Sequence, residues 1–200
     1  MEILIIRHGQ SKADLLNVHE GRADFPLTEL GKQQAEKVAD FLNEYCPPDI
    51  IWSSTLLRAS ETAEIIANKV ECMLKHEPDL MEYNNGILAG LPREVAATKY
   101  PLPLGGRKPH ERIEKGESEL EFRMRSEIIL SKILSESSAV ARIAIVSHGG
   151  TISNLIRSLL QLPVITPIRF YTGDTGIHLL KKQEDQVSVV YLNKQDHLNN

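Results

Sequence analysis

The sequence predicts an α/β sandwich of three layers, with a mostly parallel central sheet and helices on both faces. Short apolar runs alternate with amphipathic stretches from end to end, the pattern of strands and helices taking turns. Two of the runs, Ile3 to Ile6 and Ile143 to Val146, are apolar without a break, as strands covered on both faces must be. No repeat, low-complexity tract or linker divides the 200 residues, so a single domain over 1–200 with one sizeable core is expected.

Ile3 to Ile6 is the first strand. After a polar loop, Thr28 offers an N-cap oxygen, and Ala35, Val38, Ala39 and Leu42 recur at helical spacing. Pro47-Pro48 end that helix and Ile50-Ile51-Trp52 form the second strand. Ser54 or Thr55 is expected to cap the next helix, whose face carries Leu56, Ala59, Ala63, Ile66, Ala67 and Val70. Cys72-Met73-Leu74 reads as a short strand, followed by a loop through Glu82 to Gly90. Pro92 to Lys99 predicts a short helix with proline in its first turn, and the Pro- and Gly-rich stretch 101–109 a loop. A longer helix is expected from about Ser118 to Leu134. Ile143 to Val146 is the next strand, and Gly149-Gly150 lead into a helix bearing Ile152, Leu155, Ile156 and Leu159. Ile177 to Leu180 and Val187 to Leu192 supply two late strands.

The formal charge of −4 argues against a nucleic-acid binder that works by phosphate neutralisation. No stretch is long and apolar enough to span a bilayer as a helix. Met1-Glu2 run straight into Ile3-Leu4-Ile5-Ile6 without the basic start of an export signal, so a cytoplasmic location is expected. Cys46 and Cys72 lie in no metal-ligand spacing and are expected to be reduced thiols.

Two of the apolar strands end alike, as Ile5-Ile6-Arg7-His8-Gly9 and Ile145-Val146-Ser147-His148-Gly149. Ligands of open α/β sheets bind beyond the carboxyl ends of the strands, so both histidines belong at the rim where chemistry would occur. A third strand, ending near Ser53-Ser54, leads into a helix with Arg58 about one turn in. Two guanidiniums and two imidazoles around one point make an anion site, because the planar arginine fork fits phosphate oxygens in pairs. A neutral imidazole nitrogen is a competent nucleophile for phosphorus. Glu82 is the candidate proton donor for a leaving alkoxide, with Glu77 and Asp79 close by as alternatives.

These blocks resemble the histidine phosphatase superfamily, phosphoglycerate mutase-like branch. Arg7-His8-Gly9-Gln10-Ser11 and Asp24-Phe25-Pro26-Leu27-Thr28-Glu29-Leu30-Gly31 with Gln34-Ala35 are similar to its opening signature. Ser53-Ser54-Thr55-Leu56-Leu57-Arg58-Ala59 with Thr62-Ala63 resemble its second block, Leu80-Met81-Glu82 its acid loop, Gly116-Glu117-Ser118 its late-helix entry, and Ser147-His148-Gly149-Gly150 its last block. The order is the family's, over about three quarters of the chain, and an ordered set is far more specific than a lone Arg-His-Gly.

The resemblance implies that His8 becomes a phosphohistidine. Arg7, Arg58, His148 and Gly149 would hold the phosphoryl group. Glu82 would protonate the leaving group and then deprotonate the hydrolytic water. It implies no metal and no cofactor, a small-molecule phosphate ester as partner, and a monomer or homodimer that engages neither nucleic acid nor membrane. Asp14 stands where the family usually has asparagine. A carboxylate there repels a phosphate dianion unless it is protonated, paired or turned away, or else it selects a substrate with a donor or positive group.

Gly86-Ile87-Leu88-Ala89-Gly90-Leu91 is closer to the mutases of the branch, whereas the loop bearing Arg107-Lys108 and Arg112 is shorter than theirs. The substrate pocket is expected to be walled by Asp14 to Arg22, Tyr83 to Leu91 and Pro101 to Arg112. Phosphomonoester hydrolysis is therefore the leading expectation, a phosphoglycerate mutase the alternative, and a non-catalytic module for phosphorylated ligands the third reading. The remaining histidines and the run Glu117, Glu119, Glu121, Arg123, Arg125 are expected to be structural or solvated.

Overall fold

The computed structural model describes residues 1–199. Six strands, β1 (Glu2–Arg7), β2 (Ile50–Ser53), β3 (Met73–His76), β4 (Arg142–Ser147), β5 (Ile177–Gln183) and β6 (Gln186–Lys194), form one sheet. Its order is β3-β2-β4-β1-β5-β6. The first four strands of that order pair in parallel, while β5 runs antiparallel to both β1 and β6. The expected mostly parallel sheet is therefore present, with an antiparallel hairpin closing one side.

Alternation along the buried strands builds two cores. Ile3 and Ile5 of β1 point to one face with Ile143 and Ile145 of β4, and meet the helices α5 (Glu119–Glu136) and α6 (Gly149–Leu159). Leu4 and Ile6, with Ala144 and Val146, point to the other, against α2 (Glu29–Tyr45) and α3 (Leu57–Val70). Each face thus needs its own helical layer, which is why these strands read as continuous apolar runs rather than alternating ones. Trp52 is core, its indole N–H satisfied by the Ser137 hydroxyl at 3.0 Å. Cys46 is buried, Cys72 half-buried, and both are free thiols. Among the described residues no helix is long and apolar enough to cross a membrane.

Three local details differ from expectation. A short helix, α1 (Lys12–Leu16), interrupts the first polar loop; Ser11 and Asp14 form a capping box that replaces the missing hydrophobic stripe. The cap of α3 is Leu56, without a side-chain bond. Neither expected cap, Ser54 or Thr55, fills that place: Ser54 accepts from the Leu56 amide at 3.2 Å and turns its hydroxyl to His148 instead. Arg58 consequently lies in the first turn of α3 rather than a turn further on. The remaining short helix, α4 (Arg93–Lys99), follows Pro92 as predicted.

Candidate active site

The parallel register delivers the two histidines side by side. Arg7 pairs with Ser147 across β1 and β4, so His8 and His148, one residue on, leave neighbouring strand ends together. The His8 amide donates to the Ser147 carbonyl at 3.1 Å, extending the ladder past its last paired residue. Their rings stand 5.1 Å apart, centre to centre, and both residues are only 1% exposed. The His8 loop packs backbone to backbone on the start of α2: a β-carbon on Gly9 would lie 2.4 Å from the Gly31 carbonyl oxygen, closer than real contacts allow.

His8 Nδ1 lies 2.7 Å from the Gly9 carbonyl. A carbonyl only accepts, so Nδ1 carries the proton and Nε2 is left as the lone-pair nitrogen. Burial holds the His8 imidazole well below its ordinary pKa, and the nearby Arg58 and Arg7 charges push the same way against the Gly9 bond. The ring is neutral at neutral pH. His148 is driven low by the same burial, then by Arg58, His8 and Arg7. Its Nε2 bonds the Ser54 hydroxyl at 2.8 Å and its Nδ1 has no partner.

Arg58 is fully buried, an expensive place for a cation unless it is fixed and compensated. Its two terminal nitrogens donate to the carbonyls of Ala23 and Gly21 at 3.0 and 2.9 Å, and Glu20 lies 3.6 Å from its Nε. Burial lowers its pKa, while Glu20, Glu82, Asp24 and Asp14 pull it back up. Arg7 is held by the Thr172 carbonyl at 2.9 Å and Asp174 at 3.5 Å, a turn pinned in part by the buried pair Thr172 and His178. Arg7 Nε, Arg58 Nε and His148 Nδ1 are buried polar atoms without a hydrogen-bond partner, all near one imidazole. Native folds leave few such atoms, and a group of them points to a ligand.

Glu82 sits on the N-terminus of α6, whose own cap residue, His148, makes no side-chain cap bond. Glu82 Oε2 accepts from the Gly150 amide at 2.9 Å, and Oε1 from the amides of Tyr83 and Thr151 at 2.8 and 3.2 Å. Gly150 makes this seat possible, since a β-carbon there would lie 2.5 Å from Glu82 Oε1. The two rival carboxylates lie elsewhere: Glu77 pairs with Lys132, and Asp79 occupies the short turn before the loop.

The loop is held from behind by Arg125, which donates to the carbonyls of Asp79, Met81 and Glu82 and pairs with Glu117 at 2.7 Å. Arg123 is also buried, bonded to Glu127 and the Leu162 carbonyl. The charge run expected to be a solvated helix face is therefore partly a brace for the acid loop. Sequence reasoning missed it because i, i+2 spacing along a helix gives no sign of which face meets a distant loop.

Asp14 turns toward its own helix cap, accepting from the Ser11 amide at 2.9 Å. Its side chain borders the cleft without an ion pair among the described residues. Gly149, first residue of α6, also borders the cleft.

The cleft above His8 has a volume of about 1090 Å³, at the large end for a small-molecule site. Each of the three expected segments contributes to its walls, but Arg112 does not: it is exposed and pairs with Glu121. His19, expected to be structural or solvated although it falls in the first wall segment, lines the cleft, as do Arg93 at the start of α4, Asn154 and Arg157 on α6, and Arg169 in the loop before β5.

A family model for the histidine phosphatase superfamily (branch 1) matches residues 3–195. Among curated proteins, the chain is 33% identical over 191 residues to one from Escherichia fergusonii named "Probable phosphoglycerate mutase GpmB", covering 93% of this chain and 87% of that one. A Proteus mirabilis protein of the same name is 32% identical over 182 residues, covering 88% and 83%. Among solved structures, the α-ribazole phosphatase of Shigella flexneri superposes with a TM-score of 0.88 at 25% identity, over 98% of this chain and 97% of the other. A mycobacterial glucosyl-3-phosphoglycerate phosphatase, solved with VO3, gives 0.81 at 25% identity over 96% and 98%. A neutral buried histidine beside a second one, two anchored guanidiniums and a family match over nearly the whole length lead to one conclusion: this chain belongs to the histidine phosphatase superfamily, branch 1.

Proposed function

We propose that the chain hydrolyses phosphomonoesters, without a metal, through a phosphohistidine on His8. The observation that carries this reading is the His8 ring itself, whose proton is fixed on Nδ1 by the Gly9 carbonyl, leaving Nε2 free to attack. Nε2 forms a bond to phosphorus as the ester P–O bond breaks, and the departing oxygen takes a proton from Glu82. Water then attacks the phosphohistidine, gives its proton to Glu82, and returns the electron pair to Nε2 as inorganic phosphate leaves. Arg7 and Arg58 compensate charge on the equatorial oxygens and the neutral His148 donates a hydrogen bond to them, the positioning and charge stabilisation on which phosphoryl transfer depends. Acid-stable and acid-labile phosphoprotein can be separated after rapid quench with a labelled ester. Acid-labile label on wild type, absent from H8A, is the expected result; stoichiometric label retained by H8A overturns it.

The mutase reading is favoured by the names of the relatives at 32–33% identity. It shares the first half-reaction and differs in the acceptor, so incubation with 3-phosphoglycerate separates the two. Accumulation of free phosphate supports hydrolysis, and accumulation of the 2-phospho isomer supports the mutase. Equal trace activity in wild type and H8A would leave a binding module.

A further inference from the structure

The geometry points to a second anion subsite at the far end of the cleft, built from Arg157, Arg169 and Arg107. Its occupant is a second anionic group, a carboxylate or another phosphate, carried several bonds from the ester on the alcohol part of the substrate. The inference rests on the phosphatase reading above and names its substrate class.

The chain has eleven arginines, and most are spoken for by carboxylates or carbonyls. Among the described residues, the side chains of Arg93, Arg107 and Arg169 form no hydrogen bond or ion pair, and all three line this one cleft. Arg157 lines it too and is only 7% exposed. Asn154 Oδ1 and the Val164 carbonyl accept from its terminal nitrogens at 3.1 and 2.8 Å, and its buried Nε has no partner. These neutral acceptors aim the guanidinium without cancelling its charge. A buried cation held by neutral groups costs free energy that an anion can recover through charge-assisted bonds.

The cations share one end of the cleft. Burial, then Arg123, lowers the pKa of Arg157, with Arg169 adding to the effect and Glu119 opposing it. Glu119 and Arg107 both act on Tyr83. Two carboxylates face this wall, Glu119 and Glu111, and Glu111 already accepts from the Lys108 amide at 2.9 Å. Lys108 lines the wall as well. Positive charge exceeds negative there even with both carboxylates ionised.

Distance separates this subsite from the phosphoryl seat. Arg157 follows the cap residue His148 by nine positions on one helix, roughly 13 Å along the axis at the helical rise, with its side chain leaning back toward the seat. A three-carbon phosphoglycerate carries its carboxylate within two bonds of the ester-bearing carbon and so has the shorter reach. A phosphate ester on a longer chain or a sugar, with an anion at the opposite end, spans both.

Matched esters test this: 6-phosphogluconate and sorbitol 6-phosphate share an open six-carbon chain and differ at the far end, carboxylate against alcohol. Wild type is expected to favour the carboxylate ester by tenfold or more in kcat/KM. R169E, on an exposed loop, and R157M should each lower that ratio at least tenfold. R112E, outside the cleft, should leave the ratio unchanged. A wild-type ratio near one, or an R169E loss equal for both esters, overturns the subsite while leaving the phosphatase reading intact. If no ester is turned over, the phosphatase reading fails. The subsite is then read by titrating H8Q with 6-phosphogluconate: a tenfold weaker Kd in H8Q/R169E supports it, and equal Kd values overturn it.

Discussion

The two ends of the cleft are built on opposite plans. At the His8 end every charged group is anchored: Arg58 by two carbonyls, Arg7 by a carbonyl and Asp174, Glu82 by the amides of α6. At the far end only Arg157, on α6, is anchored, while the side chains of Arg107 and Arg169 have no partner and sit on the connecting segments 100–118 and 160–176. The difference teaches that the chemistry is rooted in strand ends and helix termini, which packing holds still. The far end joins one anchored helix residue to loop residues, and loops tolerate change.

Breaking the anchored end should be costly. H8A is expected to lose at least about 10⁴-fold in kcat, the scale on which nucleophiles are measured, in a steady-state assay with p-nitrophenyl phosphate. A loss under tenfold would place the chemistry elsewhere. E82Q should cost about 10²–10⁴-fold with an alkyl phosphate and far less with p-nitrophenyl phosphate, whose leaving group needs no proton. Equal losses on both esters would argue that Glu82 is a structural cap on α6 alone.

R125M sharpens the comparison further, since Arg125 touches the acid loop only from behind. It should lower kcat by roughly tenfold, follow the leaving-group dependence of E82Q, and cost about 1–3 kcal/mol of stability through the Glu117 carboxylate it abandons. Urea denaturation reads the second effect. A stability loss with unchanged kcat would reduce Arg125 to a fold residue.

Proton uptake sets the smaller effects. His8 is held well below 6.5, so kcat/KM of the free enzyme should stay level from pH 7.5 to below 6.5 on the histidine's account, falling only at more acid pH as Nε2 is protonated. A midpoint at or above 6.5 traced to His8 would contradict its burial. Outside the cleft lining, burial brings His178, behind Thr172, and His197 to about 4. A folded-state pKa below the unfolded value means that the unfolded chain takes the proton first. Stability is therefore full above about 6.5 and is lost as pH falls toward 4, approaching about 1.4 kcal/mol per pH unit for each histidine. H178N should flatten that slope in thermal melts, and an unchanged slope would exclude His178 as its source.

Much of this was legible in the linear chain because it depends on local pattern. Unbroken apolar runs mark buried strands, and a His-Gly after two such runs puts both imidazoles on one rim whatever the details of packing. Glu82 was identifiable only through the resemblance, since Glu77 and Asp79 have the same chemistry a few residues away. The sequence by itself determined the strand ends, the reactive residue types and the family, all of which follow from short-range periodicity and ordered motifs.

Tertiary structure alone decided that Arg125 braces the acid loop, that Ser54 serves His148 rather than a helix, and that three arginines far apart in sequence face one cavity. Those outcomes depend on which helix face meets which loop, and neighbouring residues in the chain do not encode that. Contacts between distant segments form only when the whole core closes.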